Sequence, residues 1–483
     1  MYDWRRSARL VAVLWAAPVT PSPAQTLTTV VNFNLTEGAN PYSSPVQGTD
    51  GDFYGTTADA GWDGYGTVFK LSLAGTLTTL YRFCPQRQCS DGAFPYAGLV
   101  LATDGNFYGT TNEGGASTGG QCAPPGCGTV FKISAAGKLT TLYSFCRNFG
   151  CPDGAYPAGL VLAADGQLYG TTREGGSPGP GTIFRISLDG TLTTLYSFCS
   201  QEGCADGYFP SAGLIQSADG DFYGTTSNGG TGGSCFEGCG TLFRVTPQGN
   251  LTTLHSFDFT DGANPYGALV QAADGKLYGT TFSGGFNGDG TVFAITPGGT
   301  LTTLYSFCSH GPCDDGANPV AALVQATDGN FYGTTRNGGA DTYYGTLFKI
   351  TPNGALTTLQ SFDESNGATP VASMIQATDG RLYGTTVDGG SKSYGTLFSV
   401  ALGLNPFVQT LPASGRTGSH VAILGTDLVG ATGVTFNGVL ATFSVASPTL
   451  ITTTVPAGAT TGKIQVVTPS ATLSSNVPFR VIP

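Results

Sequence analysis

The chain has little charge and few of the side chains that most often carry chemistry. Only 11% of its 483 residues are Asp, Glu, Lys or Arg, and it holds three His and two Met. So few charges exclude a coiled coil or a highly charged disordered chain. The 20 basic residues are outnumbered by 31 acidic ones and form no cluster, giving a net charge of −11. Phosphate contacts need Lys and Arg, so nucleic acid is excluded as a partner. The same field repels anionic membranes. His255, His310 and His420 share no spacing with a nucleophile or a set of metal ligands. No catalytic constellation, metal site or cofactor is therefore expected. No apolar run is long enough to cross a bilayer, so no membrane insertion is expected.

What the sequence has in excess is glycine and aromatic residues: 74 Gly, 29 Phe and 21 Tyr. This mixture suits short strands joined by tight turns. The segment Tyr-Gly-Thr-Thr recurs seven times, starting at Tyr54, Tyr108, Tyr169, Tyr223, Tyr278, Tyr332 and Tyr383. A Gly-Thr-aliphatic-Phe segment follows each copy, and a Leu-Thr-Thr segment also occurs seven times. Each unit reads as four strand-like runs. The first, such as Ala97 to Val100, is built of small and aliphatic residues. An Asp-Gly pair ends it and marks a tight hairpin, because Gly there supplies positive φ. Then come Phe-Tyr-Gly-Thr-Thr, a Gly-Gly loop in most units, Gly-Thr-Val-Phe-Lys-Ile, a short turn and Leu-Thr-Thr-Leu-Tyr-Ser-Phe. Four short strands in roughly 50 residues is the size of a propeller blade.

The order of the runs decides between a ring and a rod. The first Leu-Thr-Thr run, Thr26 to Phe33, precedes the first Tyr-Gly-Thr-Thr, and the seventh unit has no such run after it. In a ring, Thr26–Phe33 completes the blade formed by residues 370–402. A linear solenoid has no use for that permutation and wants capping repeats instead. The expected fold is all-β: a seven-bladed propeller of four-stranded blades over residues 25–403, closed by its N-terminal strand. The small-residue runs lie innermost in this reading.

Residues 1–24 read as a signal peptide. Arg5, Arg6 and Arg9 precede the short apolar stretch Leu10 to Val19, and Ser22-Pro23-Ala24 offers a cleavage site. Their removal leaves 17 basic and 30 acidic side chains, a net charge of −13. The 12 Cys then fall into six close pairs: Cys84/Cys89, Cys122/Cys127, Cys146/Cys151, Cys199/Cys204, Cys235/Cys239 and Cys308/Cys313. In an exported chain such pairs imply disulfides. Zinc is the rival, but it prefers tighter Cys pairs or Cys with His. Four pairs follow a fourth strand and two lie between second and third strands. In an up-and-down blade both loop types emerge on one face. That long-looped face is where a ligand is expected.

Loop aromatics are the candidate ligand contacts. Trp62, Tyr65, Phe236, Phe286, Tyr343 and Tyr344 lie between second and third strands. Phe94, Tyr96, Tyr156 and Phe209 lie where the chain enters the next blade. Exposed rings anchor ligands, whereas packed rings wedge blades together. The repeated Asp-Gly-Ala-x-Pro element, with Asp91, Asp153, Asp261 and Asp315, offers either a carboxylate ring for Ca²⁺ or simple turn chemistry. Substitution by Asn366 in one unit favours the turn.

The full unit, Asp-Gly-x-Phe-Tyr-Gly-Thr-Thr through Leu-Thr-Thr-Leu-Tyr-Ser-Phe, resembles the GloVer tandem repeat of bacterial exported and surface proteins. The resemblance implies an extracellular setting and brings no ligand or catalytic residue. Residues 404–483 change texture, with Val421 to Leu428 (VAILGTDL), Val434-Thr435-Phe436-Asn437-Gly438 and Val455-Pro456-Ala457-Gly458. They resemble an IPT/TIG domain, which implies an immunoglobulin-like β-sandwich. Two functions from different classes follow. The first is a non-enzymatic binding or structural protein of the envelope or extracellular space, holding a glycan or an envelope protein on the disulfide-rich face. The second is a secreted carbohydrate-active enzyme, such as a polysaccharide lyase, on the same scaffold. Convergence of Asp or Glu at the channel mouth favours the second.

Overall fold

A computed structural model describes residues 26–59, 64–85, 88–116, 122, 126–177, 179–309, 311–341 and 343–482. The proposed signal peptide and Trp62 lie outside these residues. The described chain is all-β apart from one short 3₁₀ turn at Glu202–Cys204. Seven four-stranded antiparallel sheets follow one another in a propeller-like repeat. In the first, Val46–Gln47, Phe53–Thr57, Thr67–Leu71 and Leu77–Arg82 pair in chain order. The seventh holds Ile375–Gln376, Leu382–Thr386 and Thr396–Ala401, and its fourth strand is Thr26–Asn32. Thr26 pairs with Ala401 and Asn32 with Thr396.

The glycine of each Tyr-Gly-Thr-Thr run has a steric cause. Gly55 faces Phe69 across the sheet, and a Cβ on Gly55 would sit 2.5 Å from the Phe69 ring. The same pairing recurs in every sheet, with Gly224 facing Phe243 and a hypothetical Cβ 2.6 Å from the ring. The ring lies flat on the bare backbone and stays fully buried. The two threonines that follow work differently. The second bonds to the threonine that opens the third strand, as in Thr57 with Thr67 and Thr172 with Thr182, at 2.8 Å. The first reaches out of its own sheet. Thr56, Thr110, Thr171, Thr225, Thr280 and Thr334 each donate to a backbone carbonyl of the following sheet's first segment. Thr385 of the seventh sheet donates to Pro41 and Ser43 of the first.

Two further contacts repeat along the same path. Each fourth-strand Phe meets the third-strand Phe of the next sheet, from Phe83–Phe131 to Phe362–Phe398 at 5.2–5.4 Å between centroids. Phe33, after the N-terminal strand, meets Phe69 of the first sheet at 5.3 Å. First-strand glutamines reach back to the preceding sheet's Asp-Gly turn. Gln216, Gln271, Gln325 and Gln376 accept from the backbone N–H of Ala164, Ala218, Ala273 and Thr327. Gln47 of the first sheet accepts from Thr378 of the seventh at 3.0 Å.

Residues 409–481 form two more four-stranded sheets and a short strand pair around a separate core that includes Val408, Ile423, Phe436, Ile451 and Val466. This C-terminal unit stands on the Asp-Gly turns. Thr449 donates to Thr49 O, Asn476 to Gln325 O, and Thr426 bonds Thr378. Arg480 lies against Gly220. Its footholds are thus on the first, fourth, sixth and seventh sheets, on both sides of the repeat. The tight-turn face, expected bare, is covered there, and the long-looped face is left open.

Replacing Gly224 with Ala forces Phe243 off the backbone and is expected to cost ~1–3 kcal/mol of stability. Gly298→Ala, whose Cβ would meet only Thr296 Oγ1 at 3.8 Å, is the control and should change stability by less than about 0.5 kcal/mol. Urea unfolding of the two variants tests this; equal midpoints would show that the ring does not need the bare glycine.

Candidate functional site

The open face is stapled by six disulfides that join the close Cys pairs. No helix among the described residues is long and apolar enough to cross a membrane. Disulfides of this number fit an oxidising, extracellular setting. The Asp-Gly-Ala-x-Pro aspartates brace the loops from inside. Asp91 accepts from Tyr81 Oη and Cys84 N, and Asp153 from Tyr143 Oη and Cys146 N. Asp261 bonds His255 Nε2 at 2.6 Å, so this His fills the place of the tyrosines. These carboxylates are occupied in turn chemistry.

A second set of acids is placed differently. Two residues after each Tyr-Gly-Thr-Thr stand Asp59, Glu113, Glu174, Asn228, Ser283, Asn337 and Asp388. Backbone bridges dock most of these positions to the segment that opens a first strand: Asp59 to Ala39, Glu113 to Ala93 and Asp388 to Ala368. In that segment lie Tyr42, Tyr96 and Tyr156. Burial raises the pKa of Tyr42, and Asp388 and Asp59 raise it further, against the pull of Arg336. Burial also leads for Tyr96, helped by Asp59, Tyr42 and Glu113. Tyr156 is raised by burial, then by Glu174 and Glu113. The tyrosines therefore bridge the carboxylates of neighbouring sheets in series. Tyr42 alone feels groups from the sixth, seventh and first sheets, a reach only a side chain near the common centre can have.

Asp59 and Glu113, the half-buried acids beside Tyr96, both have pKa values raised by burial. Tyr42 and Tyr96 meet edge to face at 5.0 Å and keep 37% and 43% of their surface exposed. Beside them is a recess of about 350 Å³, lined by Tyr156, Glu174, Cys122, Cys151 and Gly176. The arrangement offers what acid–base chemistry needs: carboxyl groups of perturbed pKa, close to aromatic rings and open to a ligand.

The aromatic candidates from sequence divide. Tyr96 and Tyr156 join the acidic arc. Tyr65 packs on Phe94 and the Cys84–Cys89 staple. Phe209 lies against Tyr208 and under Arg173, whose guanidinium is 5.6 Å from the ring. Tyr344 donates to Glu364. Phe236, Phe286 and Tyr343 project singly from loops of the fourth, fifth and sixth sheets, at 102%, 93% and 75% exposure. Sequence reasoning passed over Tyr42 and the four acids. Superposing the seven units would have exposed them, because the position after a fixed Tyr-Gly-Thr-Thr-x varies among Asp, Glu, Asn and Ser.

Residues 18–236, 123–312 and 232–444 match the Gloeobacter/Verrucomicrobia repeat family. The chain belongs to this family. No curated protein matches the chain. Among solved structures, a gluconolactonase from Xanthomonas campestris is similar at 14% identity and a TM-score of 0.39, over 78% of this chain and 90% of that one. A luciferin-regenerating enzyme is similar at 14% identity and a TM-score of 0.40, over 62% and 89%. Neither reaction transfers to this family member at such distance. Both neighbours are nonetheless enzymes, and the expectation of a non-enzymatic binding or structural protein is corrected on that finding. The convergence of acids at the open face is its physical counterpart.

A raised carboxyl pKa means that the folded state prefers the proton. Its stabilising share is present below the unfolded pKa and is lost as pH rises through the folded one. Glu113→Gln should therefore raise the unfolding temperature at pH 7 by about 1–2 °C, and the gain should vanish near pH 3.5. Calorimetry at the two pH values checks this; a destabilised variant at pH 7 would mean that Glu113 is held charged.

Proposed function

We propose that this repeat protein is an exported carbohydrate-active enzyme that cleaves glycosidic bonds at the looped mouth of a closed seven-bladed propeller. One observation carries the reading: Tyr96 is shared by Asp59 and Glu113, two acids of neighbouring sheets that burial pushes toward the protonated form. Glycoside cleavage uses two carboxyl groups, one of them protonated at working pH to serve the leaving oxygen. Glu113 or Asp59 supplies that proton, and the other acts as base or nucleophile on the far side of the sugar. Tyr42 and Tyr96 give the sugar ring an apolar wall. Glu174 and Asp388 extend the negative field on either side. That field disfavours a uronic-acid polymer, so hydrolysis of a neutral glycan replaces the lyase chemistry first considered.

The supports for closure are the bonds from seventh to first sheet, which copy those between consecutive sheets. We take residues 409–481 as an IPT/TIG-type sandwich that plugs the tight-turn end of the channel. Substrate then enters and leaves on the looped side. The disulfides and the N-terminal residues 1–24 support export.

Full-length protein incubated with neutral polysaccharides should release reducing ends, and Asp59→Asn or Glu113→Gln should slow this by at least about 10²-fold. Tyr96→Phe should shift the pH profile. Undiminished release from both acid variants would refute the assignment. Closure has its own test. Thr28 pairs with Ser399, so Thr28→Cys with Ser399→Cys should crosslink within one chain on oxidation. Two unreacted thiols in the folded protein would count against a ring.

A further inference from the structure

The seven positions around the mouth are not equivalent. The seventh, first, second and third sheets present Asp388, Asp59, Glu113 and Glu174, whereas the fourth, fifth and sixth present Asn228, Ser283 and Asn337. The three uncharged sheets are also the ones whose second-to-third loops lift Phe236, Phe286 and Tyr343 into solvent. Charge and exposed aromatic surface thus divide the open face into two parts.

These three rings are held out, not left over. Phe236 sits inside the Cys235–Cys239 staple, and the carbonyl of the next residue, Glu237, accepts from Tyr208 Oη at 3.0 Å. The backbone N–H of Phe286 bonds Ser306 Oγ at 3.3 Å, and Asn287 donates to Phe307 O at 2.9 Å. The loop carrying Tyr343 is pinned by Ala340 N to Ser361 Oγ, and its neighbour Tyr344 by Glu364. An exposed ring on a pinned loop pays no ordering entropy when a ligand stacks on it. The rings stand apart among Gly, Ser, Asn and Thr, so they make no continuous apolar patch of the kind a protein partner would bury. Isolated flat rings amid small hydrogen-bonding residues suit the apolar faces and hydroxyls of separate sugar units.

We infer that Phe236, Phe286 and Tyr343 are stacking platforms for a long, uncharged glycan, which crosses the uncharged sheets to reach the acidic arc. The substrate class is then a neutral polysaccharide, not a short oligosaccharide and not a polyanion. This inference rests on the reading of the mouth as a glycan site.

Affinity electrophoresis of the full chain through gels containing a mixed-linkage β-glucan, a galactomannan, a xylan or polygalacturonate tests it. The wild type should be retarded by at least one neutral polymer and not by polygalacturonate. The combined variant Phe236→Ala, Phe286→Ala, Tyr343→Ala should bind that polymer at least about tenfold more weakly. Glu113→Gln should bind as the wild type does. Three outcomes overturn the inference: equal retardation of the triple variant, no retardation by any neutral polymer, or retardation by polygalacturonate alone. Retardation without cleavage, in contrast, sinks only the assignment of the acids and leaves the platforms standing.

Discussion

The architecture depends on a threonine hydroxyl that leaves its own sheet. Each Tyr-Gly-Thr-Thr run spends its second threonine inside the sheet, on the threonine opening the third strand. The first threonine goes to a carbonyl of the next sheet. Both side chains are buried, and a buried hydroxyl without a partner costs about 1–3 kcal/mol. A sheet therefore cannot be comfortable without its neighbour on one side. Seven sheets in a row would leave one of these threonines unsatisfied at the end. Thr385 is not left so, because Pro41 and Ser43 of the first sheet receive it. Phe33 on Phe69 and Gln47 on Thr378 add an apolar and a polar contact at the same junction. This is the physical reason for a permuted chain: the N-terminal strand fills the last sheet, and every interface is then of one kind.

The same economy explains what the sequence displayed and what it hid. The strands were legible because each has a short, fixed pattern bounded by glycine turns. The assignment of Thr26–Phe33 to residues 370–402 followed from counting runs, and Thr26–Asn32 does pair with Thr396–Ala401. The disulfide pairs were legible from proximity alone. The acidic arc was not, because its members are about 50 residues or more apart and sit in a variable position beside an invariant one. Repetition draws attention to what never changes, whereas a site in a repeat protein is made where copies differ. Glu113 and Asn228 occupy the same backbone place and differ only in charge. The C-terminal unit was legible as a change of texture, but its docking on the Asp-Gly turns was not. Contacts such as Thr449 to Thr49 join residues 400 positions apart without any pattern to announce them.

That docking changes which side of the molecule can act. The tight-turn face carries its own ionic order, with Lys70 between Asp50 and Asp52 and Lys132 on Asp104. Lys132 and two hydrogen-bonding neighbours overcome burial and bring Asp104 down to about 2. There the acids are neutralised by a cation and serve stability. On the looped face the cations are scarce. Burial pushes Asp59 and Glu113 up, and no lysine or arginine is among the causes that act on them. Two sets of carboxyl groups in one repeat are thus driven in opposite directions by whether the third strand supplies a Lys. Residues that stabilise a fold are usually matched in charge, and those that do chemistry are usually left in tension. By that criterion the repeat keeps its structural acids at one end of the sheets and its reactive ones at the other, and the C-terminal unit covers the end with nothing to react.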